Sequence, residues 1–154
     1  MIIPLETLAQ HTGTTYPEPF RAMVAGRSRR RVGEAAGLTR FGVNMTTLAP
    51  GSCSALRHWH SQQDEFVYVV AGTLTLITDA GEQDMTPGMM AGFAAGAPNG
   101  HQLVNRSDQP ATYLEVGDRT PNDQATYPDL DLLALPMAAG QAGHRFVHRD
   151  GQPY

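Results

Sequence analysis

Residues 57–72, RHWHSQQDEFVYVVAG, set two histidines one residue apart, then a glutamate, then an almost unbroken apolar run closed by glycine. On an extended chain successive side chains point to opposite faces. His58 and His60 therefore leave the same face about 7 Å apart along the backbone, while Arg57 and Trp59 point the other way. Four residues separate His60 from Glu65, enough for the chain to turn, start a neighbouring strand and bring the carboxylate into the same interior. His101 opens a later strand, HQLVN, and offers a third imidazole. Three neutral imidazoles and one carboxylate suit one divalent transition metal (Mn, Fe, Zn, Ni or Co). They do not suit calcium or magnesium, which take all-oxygen shells. His58, His60, Glu65 and His101 are the expected metal ligands.

A metal with one or two open positions acts as a Lewis acid on a carbonyl, or activates water or dioxygen. In ATYLEVG, residues 111–117, Glu115 alternates away from Leu114 and Val116, so it can face the same interior and serve as catalytic acid or base. Its plainer use is an ion pair with Arg119 or another arginine. His144 and His148 would share a strand face, but no third ligand has matching spacing, so they read as surface or subunit-contact residues. Arg27, Arg29, Arg30 and Arg31 could bind an anion. The preferred reading is a solvated strand edge, where charge discourages edge-to-edge pairing. Tyr68 and Phe93 read as core.

The elements that must hold these side chains are short strands. LTRFGVNMTTL (38–48) reads as a strand stopped by Pro50-Gly51, residues 55–60 as another and EFVYVV (65–70) as a third. TLTLIT alternates with a period of two, residues 82–86 lead to Pro87-Gly88, and MMAGFAAGAPNG reads as a glycine-rich bend before HQLVN and ATYLEVG. About eight strands at intervals of roughly 8 to 12 residues, with no convincing helix, make an all-β sandwich or closed barrel. Residues 66–70 are apolar on both faces, which predicts cover from the core on one side and from a second sheet or another subunit on the other. Residues 1–37 are irregular. In the tail, Leu130, Leu132 and Leu133 could start a short helix that Pro136 and Gly140 would end, and HRFVH could form a last strand.

Composition narrows the remaining classes. A chain of 154 residues with 41% hydrophobic and 17% charged residues suits one globular domain. A net charge of -4 gives no support to nucleic-acid or membrane-surface binding. All eleven basic residues are arginine, which excludes Schiff-base chemistry on lysine. The single cysteine, Cys53, allows no intrachain disulfide, and the opening MIIPLETLAQ lacks the pattern of a signal peptide, so the expected compartment is the cytoplasm.

HWHSQQDEFVYVVAG and GMMAGFAAGAPNGHQLVN together resemble the two motifs of the cupin superfamily, with Gly72 as hairpin glycine and Asn105 closing the second motif. The flanks GLTRFGVNMTTLAPG, YPDLDL and HRDGQPY are similar to small single-domain bacterial cupins labelled as sugar-phosphate isomerases or cupin type-2 proteins. The resemblance implies a double-stranded β-helix (jelly roll, or cupin barrel), a central metal on His58, His60, Glu65 and His101, and a homodimer. It divides the chain into an irregular N-terminal arm (1–37) packing on the barrel or on a partner subunit, the barrel (38–120), and a C-terminal tail of the same domain (121–154). The expected ligand is a small molecule in the barrel. Three roles stay open: isomerase-type enzyme, dioxygenase, and non-catalytic binding or sensor module. A phosphorylated substrate needs converging cations: Arg57 has the wrong parity to face inward, and Arg106 or an N-terminal arginine could serve, but neither is placed by the pattern.

Overall fold

The structure is a computed structural model describing residues 1–137 and 143–154. Its strands are β1 (His11–Thr12), β2 (Arg27–Arg30), β3 (Phe41–Leu48), β4 (Trp59–His60), β5 (Glu65–Ala71), β6 (Leu74–Thr78), β7 (Gly81–Met85), β8 (Met90–Phe93), β9 (Gln102–Val104), β10 (Ala111–Asp118), β11 (Ala125–Tyr127), β12 (Leu132–Pro136) and β13 (His144–Val147). Among the described residues the one α-helix, α1 (Val32–Ala35), is four residues long and packs on β3, and 3-10 turns form at Leu5–Thr7 and Arg21–Val24. Among the described residues no helix is long and apolar enough to cross a membrane.

A six-stranded antiparallel sheet runs in the order β1-β2-β3-β10-β5-β8. The other layer consists of β13-β12-β11-β4 and β7-β6-β9, joined by isolated bridges at Cys53↔Val104 and His58↔His101. Period-two alternation packs the interior: Val67 and Val69 of β5 meet Leu48, Leu74, Leu103 and Tyr113 in one cluster. Burying each such side chain contributes about 1.5–3 kcal/mol. Gly72 makes the β5–β6 turn with φ +77°, and a Cβ there would come within 2.8 Å of Ala111. Any other residue would strain the backbone and separate the hairpin from β10.

The strands outnumber those the pattern suggests. Residues 90–93, expected as bend, form β8 on the edge of the large sheet. The expected helix near Leu130–Leu133 is instead β12, where Leu132 and Ala134 alternate inward between β11 and β13; the Gly140 proposed as its end lies outside the described residues. Two-sided pairing outweighed a helix too short to nucleate. In residues 55–60 only Trp59 and His60 form a strand.

Residues 1–37 also contribute to the sheet. β2 pairs with β3, β1 caps β2, and Tyr16, Phe20 and Val24 pack on Leu56, Tyr127 and Leu132 of the second layer. The arginine run is therefore not a solvated edge. Arg27 is only 7% exposed and Arg29, half-buried, lines the same cavity, while Arg30 turns outward to the carbonyl of Leu8 and Arg31 stays exposed in an ion pair with Glu34. Pairing with β1 covers the edge of β2, and docking of β2 on β3 turns Arg27 and Arg29 toward the cavity, in a pattern that the sequence shares with ordinary surface strands.

The apolar residues of β5 do divide between two faces. Phe66, Tyr68 and Val70 lie on the outer face of the large sheet, beside Met90. Tyr68, expected in the core, is 36% exposed there because its parity is opposite to that of Val67 and Val69.

Candidate metal centre

His58 and His60 share an inward face, and their rings stand 4.9 Å apart at 81°. The antiparallel bridge between His58 and His101, with backbone N···O distances of 3.2 and 2.9 Å, places a third imidazole opposite the first. Glu65, at the start of β5, reaches in from the facing sheet. Its Oε2 stands 3.7 Å from Nε2 of His58, 3.6 Å from Nε2 of His60 and 2.8 Å from Nε2 of His101. Ligands about 2.1 Å from one ion lie roughly 3–3.4 Å apart in octahedral or tetrahedral geometry. The four atoms can thus close on one metal with shifts of a few tenths of an ångström. His58, His60 and Glu65 offer ligand atoms within 4.8 Å of one another, and His101 completes the ring through Glu65.

What holds the rings differs for each. His58 donates Nδ1–H to the Leu56 carbonyl at 2.8 Å. His60 donates Nδ1–H to Asp123 Oδ2 at 2.5 Å. Both bonds leave Nε2 free to carry a lone pair toward Glu65. His101 Nδ1 is buried without a partner among the described residues, and its ring is held instead by Phe93, stacked at 3.6 Å and 3°. Tyr127 stacks on His58 at 5.7 Å and donates its hydroxyl to Tyr16 at 3.2 Å.

Charge states match the chemistry. Burial pushes the pKa of His58 down to about 4, partly opposed by Glu65, so the ring is neutral at pH 7. Burial alone would raise Glu65, but the hydrogen bond from His101 and the three imidazoles outweigh it and hold the carboxyl at about 2. A neutral imidazole and an ionised carboxylate are the forms that bind metal.

Asp123 had no signal in the sequence. It is 2% exposed and also accepts from the Gln62 backbone N–H at 2.8 Å and the Ser61 hydroxyl at 3.3 Å. Asp123 follows Asn122, whose φ of +64° marks a turn, and no spacing links that turn to His60.

The centre opens on a cavity of about 520 Å³. Arg27, Arg29, Tyr113 and Glu115 form one wall, while His144 and Phe146 lie toward β13. Glu115 faces inward as its alternation requires. Its Oε1 accepts from Asn44 at 2.9 Å and lies 3.3 Å from Arg29 Nε, whereas Arg119 pairs with Glu34. Arg57 points away, bonded to Asp129 and Asp79, and Arg106 pairs with Glu82 on the outside. His148 bonds Asp131 and stacks on Tyr154, so it does not join His144 in a second site. A smaller cavity of about 140 Å³, bordered by Trp59, Phe93, Ala94 and Ala97, reaches the ligands from behind.

Residues 44–117 match the Cupin domain model. A crystal structure of a sugar phosphate isomerase of the cupin superfamily from Silicibacter pomeroyi DSS-3 superposes with TM-score 0.95 and 47% identity, covering 100% of this chain and 96% of that one. A predicted sugar phosphate isomerase from Acidithiobacillus ferrooxidans gives TM-score 0.74 and 26% identity over 83% of this chain and 80% of that one. The polyketide cyclase RemF of Streptomyces resistomycificus, at 19% identity and TM-score 0.62 over 78% and 80% of the two chains, shares the fold. No curated protein matches.

Proposed function

The chain belongs to the cupin superfamily, and from that premise we propose that it is a metal-dependent isomerase of small hydroxy-carbonyl compounds. One divalent transition metal would be held by His58, His60, Glu65 and His101. The observation that carries the reading is the meeting of three imidazole nitrogens and one carboxylate oxygen at the floor of a substrate-sized cavity. The 47% identity to a protein described as a sugar phosphate isomerase supports the reaction class. Arg27 and Arg29 on the cavity wall remove the objection that no cation faces inward.

When bound, the metal supplies a Lewis acid that polarises the substrate's carbonyl and hydroxyl oxygens. Asp123 keeps His60 in the tautomer that leaves Nε2 unprotonated. Glu115 takes the proton from the carbon beside the carbonyl and returns it to the former carbonyl carbon, while the hydroxyl proton passes to the former carbonyl oxygen, so atoms balance with no further reactant. Asn44 fixes one oxygen of that carboxylate. Tyr127 and Phe93 flank His58 and His101 and keep the rings from turning toward water.

The test is metal analysis of protein purified without a chelating tag, then assay of the reconstituted form. Manganese or zinc near one equivalent, with aldose–ketose interconversion of sugar phosphates, is expected. Stoichiometric iron with oxygen uptake would replace this reading with a dioxygenase, and metal uptake without turnover would leave a binding or sensor module. A homodimer is also proposed, through the outer face of the large sheet. Exposed Phe66, Tyr68, Val70 and Met90 there form an apolar patch of the kind that marks subunit contacts.

A further inference from the structure

We infer that Arg27, Arg29 and Tyr113 form an oxyanion subsite that holds the phosphate or carboxylate end of the substrate while its reacting end lies at the histidines. The inference rests on reading the large cavity as the substrate site. It does not require that a metal be bound.

The strand register makes the case. Arg29 of β2 lies opposite Thr46 of β3, which lies opposite Tyr113 of β10, so the three occupy one row across three neighbouring strands. Arg29 Nε, Thr46 Oγ1 and Tyr113 Oη are all buried without a hydrogen-bond partner among the described residues. Buried polar atoms without partners are uncommon, and three in one row call for an explanation. Arg29 and Tyr113 line the cavity, and Thr46, paired between them, is fully buried. Their nearest carboxylate is Glu115, 3.3 Å from Arg29 Nε and close to the Tyr113 hydroxyl, with its Oε1 already engaged by Asn44.

Charge points the same way. Arg27, one residue pair along the same face of β2, is buried and bonded to the carbonyls of Ser54 and Gly13. Among the described residues it has no carboxylate partner, and Glu115 is the only one near Arg29. One buried guanidinium, Arg27, and one half-buried, Arg29, thus face one carboxylate already bound to Asn44. Burial and the charge of Arg29 both weaken the hold of Arg27 on its proton. A buried excess of positive charge is costly until an anion balances it, and planar guanidinium forks favour phosphate and carboxylate oxygens. The Tyr113 hydroxyl adds a neutral donor on the adjoining strand.

The test is calorimetric titration of the protein with inorganic phosphate and, separately, acetate, in metal-loaded and chelator-treated forms. Saturable binding is expected in both forms. Tighter phosphate would mark the substrate as a phosphomonoester, and tighter acetate as a carboxylate. Arg29→Gln should weaken the preferred anion about tenfold or more, and Tyr113→Phe about threefold to tenfold. Tyr113→Phe should not lower the melting temperature, since its hydroxyl has no partner to lose. Arg30→Gln, on the same strand but facing Leu8, removes the same charge and should change affinity less than twofold. No saturable binding to wild type, equal affinity in Arg29→Gln and Arg30→Gln, or binding only with metal loaded would each overturn the subsite. Phosphate bound by a protein that takes up no metal would uphold the subsite and overturn the metal reading alone.

Discussion

Asp123→Asn replaces one oxygen by an amide nitrogen in a site where every hydrogen bond can be counted. Oδ2 accepts from His60 Nδ1, while Oδ1 accepts from the Gln62 backbone N–H and the Ser61 hydroxyl. If the Asn oxygen keeps Gln62 and Ser61, its NH2 faces His60, and the ring must move its proton to Nε2, the atom aimed at the metal. If the amide flips, NH2 meets the Gln62 N–H and a buried donor loses its acceptor. Either arrangement loses at least one charge-assisted bond, worth about 1.5–3 kcal/mol. Removing such support for a ligand histidine typically weakens metal binding about 10–100-fold, and the same range follows from converting that energy at about 1.4 kcal/mol per factor of ten. Competition against a chromophoric chelator should therefore show metal affinity reduced by one to two orders of magnitude, with overall secondary structure preserved. Affinity within threefold of wild type would refute the claim that Asp123 sets the His60 tautomer.

Three other outcomes follow from the same geometry. Glu115→Gln should lower kcat about 10²–10⁴-fold while metal content stays at one equivalent, checked by turnover and metal analysis on one preparation; unchanged kcat would remove the carboxylate from the proton transfer. Acid should destabilise the metal-free protein in two stages. His58 falls from 6.5 to about 4 on folding, so the unfolded chain binds its proton first and stability declines as pH drops from 6.5 to 4. Glu65, held at about 2 against 4.5, adds a further loss between those values. Each proton contributes a slope of at most about 1.4 kcal/mol per pH unit. A melting temperature unchanged between pH 7 and pH 4.5 would contradict this, and His58→Asn should flatten the upper stage. Tyr68→Glu, on the exposed sheet face, should give a monomer by light scattering without loss of fold, whereas a dimer of unaltered stability would relocate the interface.

The floor of the cavity was legible because strand parity is a strict rule. One intervening residue puts His58 and His60 on one face, and the apolar run after Glu65 announces the strand that returns the carboxylate. What stayed hidden depended on cover. Arg27 and Arg29 have the same alternation as a surface strand, and only the pairing of β2 to β3 and the packing of Tyr16, Phe20 and Val24 turn that side toward the cavity. Tyr68 illustrates the reverse: a large aromatic in an apolar run reads as core, yet parity with Phe66 and Val70 sends it outward. Asp123 was invisible because a single carboxylate in a turn has no periodicity, and its role exists only once β11 lies beside β4.

The proposed metal ligands fall within residues 58–101, whereas the two cavity-lining guanidiniums of Arg27 and Arg29 come from a short stretch near residue 28 that is threaded into the sheet from one edge. Cage and clamp are thus written in separate passages of the gene, meeting only when β2 docks on β3. Such an arrangement lets evolution, or a protein engineer, exchange the edge strand to admit a different acid while the reactive floor is left as it was.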